Sequence, residues 1–394
     1  MQFENNKNKL KFGIFIGPYH KPGINPTLTM QQDLEIIEQL DRLGFDEAWI
    51  GEHHSGGVEL VDDPMLMIAA AAERTQRIKF GTGAVTLPWH QPLQVAARIV
   101  QLSHQTRGRV HLGVAPGQLL QDAKMMGTDV LKHRLMMEES LDCIIRLLKG
   151  EVVTHKAEWF TLENAELQLL PYNDFDVSIV SVISPNAPYN AGKNGANLLS
   201  VAATDPAGFK VLDTQWKLLV ETAAEHGQPE PQRSGWRLMG PMHLAPTVEQ
   251  AIEEIRWGMP LLETYRANIH KQAQGIDYYD LENTVKVMNE TGAAIIGTPE
   301  MARNQIERLL EKTGGFGTYM LMGVDWANHD NTLRSHRLFA QEVMPYFDGT
   351  IERPLKSYDM VMSDGGEGAE VGWAAQQLAA KQFGIDESRT AIEK

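Results

Sequence analysis

Residues 78–114 read IKFGTGAVTLPWHQPLQVAARIVQLSHQTRGRVHLGV, two short apolar runs on either side of a helical pattern. The apolar residues predict a strand over 78–85, a helix over 92–104 and a second strand over 110–114. A helix that joins two short buried strands is the crossover that parallel strands require. This stretch therefore indicates a β-α-β unit.

The same alternation continues on both sides of this unit. Further apolar runs predict strands over 11–16, 47–50, 177–183, 198–201, 237–244 and 319–324. Helices are predicted over 30–43, 134–149 and 331–347, after the capping pair Thr247 and Gln250, and from Thr298-Pro299 onward. Eight strands with intervening helices favour a closed barrel over an open sheet. We therefore predict an α/β fold, a (β/α)8 TIM barrel with insertions.

The barrel is predicted to occupy residues 11–348 as one domain. The polar residues 1–10 are expected to form a flexible N-terminus, and residues 349–394 a mobile C-terminal extension with one short helix near 374–383. Irregular structure is predicted for four stretches: the insertions 119–132, 151–176 and 257–292, and the Pro/Asn-rich loop between the fifth and sixth strands.

Composition excludes several function classes. The 394 residues include 36 Lys and Arg against 51 Asp and Glu, a formal net charge of −15. Such a chain repels phosphate backbones and anionic lipids, so no nucleic-acid or membrane partner is expected. The single cysteine, Cys143, rules out an internal disulfide, and residues 1–9 lack the apolar run of a signal peptide. We therefore expect a cytoplasmic protein.

Two adjacent histidines follow the second predicted strand, in GEHHSGG at 51–57. Catalytic groups of β/α barrels sit at the carboxyl ends of the strands. Glu52, His53 and His54 do not suit a metal site, because successive residues of an extended chain point to opposite faces, and no metal is predicted. Taken alone, His53 is equally well explained as a hydrogen-bonded structural histidine and as a catalytic one.

Small residues end the next two strands, in GTGA at 81–84 and GVAPG at 113–117. They allow a flat ligand to lie against the backbone, although tight packing also explains each of them alone. Arg134 precedes a helix and Ser184 follows the fifth strand, and a guanidinium with a hydroxyl suits a phosphate group. Together these features indicate a planar cofactor that carries a phosphate.

Seven segments carry a family resemblance. They are KFGIFIGPYH at 11–20, FDEAWIGEHHSGG at 45–57, IKFGTGAVTLPWHQP at 78–92, GRVHLGVAPGQ at 108–118, MGTD at 126–129 with Arg134, IGTPE at 296–300 and VMPYF at 343–347. In this order they resemble the bacterial-luciferase-like flavin-dependent monooxygenases. EAWIGEHHSGG at 47–57 and APGQLLQDAKMMG at 115–127 resemble terpene-epoxidising members more than luciferase itself.

The resemblance implies a cofactor and a role for each candidate residue. FMN would bind in its reduced form, FMNH2, supplied by a separate NAD(P)H-dependent flavin reductase, and would react with O2 to a 4a-hydroperoxyflavin. His53 would be the catalytic histidine beside the flavin. Gly83 and Ala84 would form the family's non-proline cis peptide bond under the flavin ring, and Arg134 and Ser184 would bind the phosphate.

The resemblance favours epoxidation of a small apolar cyclic substrate, of the limonene-like terpene kind. Trp49, Trp89 and Met125 are predicted to wall the substrate pocket, although barrel packing explains most residues of this kind. The open alternatives are a Baeyer–Villiger or N-heteroaromatic hydroxylating member of the family, a deazaflavin-dependent hydride-transfer oxidoreductase, and a non-catalytic flavin-binding partner subunit. A homo-oligomer, in the simplest case a dimer, is expected.

Overall fold

The computed structural model describes residues 9–270 and 277–384. Most of the N-terminal segment predicted to be flexible, 1–10, lies outside these residues. The chain divides into a large compact unit that ends at Phe347 and a small one that begins at Asp348. None of the helices in the described ranges combines the length and the apolar character needed to cross a bilayer.

Short buried strands build the large unit. In chain order the described strands are β1 Lys11–Tyr19, β2 Glu47–Ile50, β3 Lys79–Thr82, β4 Val85–Thr86, β5 Val110–Ala115, β6 Val153–Lys156, β7 Thr161–Ala165, β8 Val177–Ser181, β9 Asn197–Ser200, β10 Arg237–Gly240, β11 Met242–Leu244, β12 Ile295–Gly297 and β13 Thr318–Val324. The eight strands predicted from apolar runs are all present.

These strands close into a parallel barrel. The order is β3-β2-β1-β13-β10-β9-β8-β5-β4, and β3 also pairs with β5, where Phe80 lies opposite Val110. The strand β4 continues β3 after a short break and extends the pairing with β5. Two small sheets, β11 with β12 and β6 with β7, lie outside this order. The predicted TIM barrel is therefore confirmed.

Helices follow most barrel strands. They are α1 Pro26–Leu43, α2 Pro64–Ala72, α3 Pro92–Gln105, α4 Leu120–Met125, α5 His133–Leu148, α6 Asn186–Asn194, α7 Pro206–Glu225, α8 Val248–Ile255, α9 Met259–His270, α10 Leu281–Thr291, α11 Pro299–Thr313, α12 His329–Glu342, α13 Met344–Asp348, α14 Glu352–Ser363 and α15 Glu367–Gln382. Five of them begin with proline, whose fixed φ and missing N–H suit the first turn of a helix.

Several stretches predicted to be irregular are regular in the structure. The insertion 119–132 contains α4, 151–176 contains the β6–β7 hairpin, and 257–292 contains α9 and α10. The Pro/Asn-rich loop was also predicted wrongly, because it forms α6. Pro188 does not break that helix, since it lies in the first turn, where no N–H has a helical partner. In the small unit two helices, α14 and α15, replace the single short helix predicted near 374–383.

A polar network fills the amino-terminal end of the barrel interior. The buried Arg237 guanidinium donates to Glu47 at 2.6 and 3.0 Å and to Asp176 at 2.9 Å, and lies over the Trp49 ring at 4.9 Å. The Trp49 indole N–H also donates to Glu47, at 2.8 Å. Every charge is thus paired, which a buried ion pair requires in order not to destabilise the fold.

A buried histidine joins the end of β1 to two other elements. His20 Nδ1 lies 3.1 Å from Asp325 and Nε2 lies 3.1 Å from Asp33 on α1. Burial opposes the charged form, but the two carboxylates outweigh it and raise the pKa of His20 to about 9. Protonated His20 therefore stabilises the fold fully below pH 6.5, and this contribution is lost as the pH rises through about 9.

We expect His20→Gln to lower the free energy of unfolding by roughly 2 kcal/mol at pH 6, because a charge-assisted contact is removed. At pH 9.5 the wild type has lost the same charge, so the two chains should differ little. Urea titrations at both pH values measure this difference. An equal difference at the two pH values would contradict the assignment of the charge to His20.

Candidate active site

A cavity of about 510 Å³ opens at the carboxyl ends of the barrel strands. It is lined by residues that end or follow seven strands: Tyr19, His53, Ala84, Ala115, Val182, Val201 and Met322. Parallel strands of a closed barrel bring their carboxyl ends to one rim, which explains why residues distant in sequence meet here. The position agrees with the place where catalytic groups of such barrels lie.

Glu52 fixes the loop that follows β2. Its buried carboxylate accepts hydrogen bonds from the Thr86 N–H at 2.8 Å, from His90 Nε2 at 2.7 Å and from His54 Nε2 at 3.0 Å. Burial alone would raise the pKa of Glu52, but the hydrogen bonds from the two histidines lower it overall. His54 is fixed by its hydrogen bond to Glu52. Because consecutive side chains of an extended chain point in opposite directions, the preceding residue, His53, faces the cavity.

His53 lies between two carboxyl groups. Its Nδ1 is 3.1 Å from Asp122 Oδ2, and its Nε2 is 3.3 Å from Glu59 Oε2. Burial lowers the pKa of His53, and the negative charge of Asp122 opposes this only in part. The imidazole is therefore neutral near pH 7, with its Nδ1 proton directed at Asp122.

The two carboxyl groups have different surroundings. Asp122, wholly buried on α4, also accepts a hydrogen bond from the Ser55 hydroxyl. Burial raises the pKa of Glu59 to about 8, and the charge of Asp122 adds to this effect. Neither residue was predicted from the sequence. Asp122 stands in APGQLLQDAKMMG at 115–127, but in a stretch interpreted as irregular, and Glu59 lies in a loop without periodicity.

A second group of residues lies on the same cavity, at its β3, β5 and β8 side. The peptide bond between Gly83 and Ala84 is cis, and both residues line the cavity, as do Arg134 and Ser184. The Asn186 N–H, at the start of α6, donates to Ser184 Oγ at 3.3 Å. Among the described residues no acceptor pairs with the Arg134 guanidinium. Its positive charge is thus available to an anion.

The sequence profile described as "Luciferase-like monooxygenase" matches residues 10–315. The chain belongs to this family. Limonene 1,2-monooxygenase from Rhodococcus erythropolis is 45% identical over 375 residues, which cover 95% of this chain and 96% of that protein. The 4-hydroxyprotoasukamycin monooxygenase of Streptomyces nodosus subsp. asukaensis is 37% identical over 391 residues, which cover 95% and 98%. The family predicted from the sequence is therefore confirmed.

A solved structure of the luciferase-like family shows the same fold. It is the oxygenating constituent of 3,6-diketocamphane monooxygenase from Pseudomonas putida, in complex with FMN. The TM-score is 0.68 at 24% sequence identity, with 86% of this chain and 98% of that chain covered. At this identity the similarity concerns the arrangement of strands and helices.

Of the three residues predicted to wall a substrate pocket, the structure places one at the cavity of this luciferase-like barrel. Trp89 lines the cavity. Trp49 does not, because it follows Glu47 by two residues on the inward face of β2 and is buried deeper in the barrel. Met125 does not either, since it lies on the outer side of α4 with 59% of its surface exposed.

The insertion 257–292 supplies a wall of the cavity that the sequence did not predict. Arg266 and Glu263 on α9 and Met288 on α10 line it, and Arg266 Nη1 donates to Glu263 at 2.9 Å. The Trp326 indole N–H holds Glu263 from the other side, at 2.9 Å. Within residues 9–270 and 277–384, no three His, Cys, Asp or Glu side chains are grouped as metal ligands.

Proposed function

We propose that the chain is the oxygenase component of a two-component monooxygenase that uses FMNH2 and O2 to oxygenate a small apolar cyclic substrate. The observation that carries the proposal is the meeting, in one cavity, of His53 with Gly83, Ala84 and Arg134, a cation that is unpaired among the described residues. The identity to limonene 1,2-monooxygenase favours epoxidation of a terpene-like alkene. A flavin reductase is the implied partner.

The residues present suit the phosphate of FMN. Arg134 offers a guanidinium that has no acceptor among the described residues, and Ser184 offers a hydroxyl. The backbone at Gly83 and Ala84 leaves room for a planar ring, because neither residue has a side chain beyond Cβ. When bound, reduced flavin would activate O2 and supply the oxygen atom.

His53 is suited to move a proton at this site. The contact of Nδ1 with Asp122 fixes the ring orientation and leaves Nε2 as the nitrogen that exchanges a proton. A proton donor supports epoxidation and a proton acceptor supports Baeyer–Villiger chemistry, and His53 can act in either way. The choice between these reactions therefore depends on the substrate.

The remaining wall of the cavity limits the substrate class. Its side chains are largely apolar, among them Phe15, Ile179, Val180, Met239 and Met322. If the flavin occupies part of the 510 Å³, only a small substrate fits beside it. We therefore expect a monoterpene or a cyclic ketone rather than a long-chain substrate.

Oxygen uptake tests the proposal. The purified chain, FMN, NADH and a flavin reductase are expected to consume O2 in proportion to added limonene, and mass spectrometry is expected to find a product with one additional oxygen atom. Catalase and a reaction without the chain correct for uncoupled oxidation of the flavin. A homodimer, also a prediction, is measured by light scattering of the same sample.

Two results would overturn the proposal. Substrate-dependent turnover with reduced deazaflavin in the absence of O2 would indicate a hydride-transfer enzyme. Flavin binding without turnover of any terpene, cyclic ketone or N-heteroaromatic compound would indicate a non-catalytic subunit. Turnover of cyclic ketones to lactones would keep the oxygenase and change the reaction class.

A further inference from the structure

We propose that Glu59 is protonated in the free protein and supplies its proton to His53 Nε2 during turnover, so that Glu59 acts on the site through His53. This inference rests on the proposed function for its role in catalysis, but the arrangement of protons that it requires exists in the free protein. Glu59 lies within the loop 51–63 and does not directly precede a strand or a helix. The backbone N–H of His53 donates to the Val61 carbonyl at 3.0 Å and so fixes the shape of this loop.

The geometry determines where each proton lies. His53 Nδ1 faces Asp122, which already accepts from Ser55, so Nδ1 carries a hydrogen and Asp122 accepts it. The ring is neutral, so Nε2 holds a lone pair, and Glu59 Oε2 lies 3.3 Å from Nε2. A lone pair and an ionised carboxylate at this distance repel each other, whereas a protonated carboxyl group donates to the lone pair.

The surroundings of Glu59 favour the protonated form. Its side chain is 10% exposed, and among the described residues no backbone N–H or guanidinium donates to it. Burial without such donors disfavours the charged form, which agrees with the pKa of about 8. The titratable or charged groups that face it are His20, Tyr19, His53, Asp122, Tyr265 and Arg266.

The transfer itself is a single exchange. The O–H bond of Glu59 breaks, the N–H bond at His53 Nε2 forms, and no electron leaves either group. The imidazolium that results lies between two carboxylates, Glu59 and Asp122, which stabilise its charge. Glu59 is thus a positioning residue that sets the protonation state of His53: it supplies the Nε2 proton that His53 passes to the site, and it regains a proton from solvent before the next turnover.

The first test follows His53 in the free chain. Protein labelled with ¹⁵N-histidine is titrated from pH 6 to 9.5 by NMR, with the His53 signals assigned by their loss in His53→Gln. We expect a neutral ring protonated at Nδ1 whose ¹⁵N shifts change with a midpoint near pH 8, as Glu59 loses its proton. Glu59→Gln retains an N–H donor to His53 Nε2 but cannot titrate. In this variant the change in the ¹⁵N shifts of His53 is expected to disappear, while Nδ1 remains the protonated nitrogen.

The second test measures coupled oxygenation with FMN, reductase and limonene. Wild-type turnover is expected to fall above pH 8. In Glu59→Gln it is expected to be lower by roughly tenfold at pH 7 and nearly independent of pH between 7 and 9, because the amide cannot transfer its proton and water replaces the lost acid poorly. Glu59→Asp, which retains a carboxyl group, is expected to regain part of the rate and the alkaline decline.

The control is Asp62→Asn, in the same loop. Asp62 is exposed and lies 3.8 Å from His54 Nδ1, so this variant removes one negative charge from the loop and leaves His53 untouched. It is expected to retain both the change near pH 8 and the wild-type rate. The inference is wrong if Glu59→Gln retains the change in the His53 shifts, or if Asp62→Asn abolishes it. Absence of turnover in every chain, with the NMR result as expected, would contradict only the proposed function.

Discussion

Replacing His53 by alanine is expected to lower coupled oxygenation about 10²- to 10⁴-fold, the range by which a positioned acid or base accelerates a reaction. His53 reaches the cavity between Asp122 and Glu59, and alanine removes the nitrogen that would exchange the proton. Flavin affinity is expected to change little, because the residues assigned to the phosphate lie on other elements, Arg134 on α5 and Ser184 in the loop after β8. Turnover by reductase-coupled oxygen uptake and flavin binding by fluorescence measure the two effects.

The neighbouring histidine provides the matched control. His54 contacts Glu52 and the edge of the Trp89 ring rather than the cavity. His54→Ala is therefore expected to reduce stability moderately and to retain most of the turnover per folded molecule. If both variants lost turnover equally, or if His53→Ala kept the wild-type rate, the assignment of the proton transfer to His53 would be wrong.

Arg134→Ala is expected to weaken FMN binding about 10- to 150-fold, which corresponds to the roughly 1.5–3 kcal/mol of a charge-assisted hydrogen bond. Riboflavin has the same ring system without the phosphate, so its affinity is expected to stay within a factor of about two. The physical reason is that Arg134 has no protein acceptor among the described residues and lines the same cavity as Ser184. Equilibrium binding of both flavins measures the ratio.

Lys132→Ala controls for the loss of a nearby positive charge. Lys132 lies two residues before Arg134, but its ammonium group is paired with Glu158 at 2.8 Å on the surface. It is expected to leave both affinities unchanged. An equal loss of FMN and riboflavin in Arg134→Ala would show that the phosphate binds elsewhere in the cavity.

The barrel could be predicted from the sequence because its signal is local. Each barrel strand is a short run of buried residues. Turns and helices that begin with proline separate these runs. The α6 helix could not be predicted in this way, because two nearby prolines suggest a loop. They are compatible with a helix only because Pro185 precedes its first residue and Pro188 lies in its first turn. The number of barrel strands could thus be predicted from short runs of neighbouring residues, whereas the structure of the inserted segments could not.

The candidate site could be predicted from the sequence where a residue closely follows a strand, and not where it lies in an inserted helix or further along a loop. His53, Gly83, Ala84 and Ser184 all stand at strand ends. Asp122 and Glu59 do not stand at strand ends, and they lie next to His53 only in the folded barrel. The prediction for Trp49 failed for a geometric reason, since residues two apart on a strand share a face, and its partner Glu47 lies deep in the barrel.

The hydrogen bonds of Glu52 have a consequence for how such a cavity changes in evolution. One carboxylate links the loop of His53 to the strand that follows Gly83 and Ala84, through the Thr86 N–H and His90. His53 and the proposed flavin floor are therefore expected to shift together. Another wall comes from α9 and α10, which the chain inserts between β11 and β12. Because α9 also carries Tyr265 and Arg266, which face Glu59, new substrates are accommodated more readily by changes on α10 than on α9.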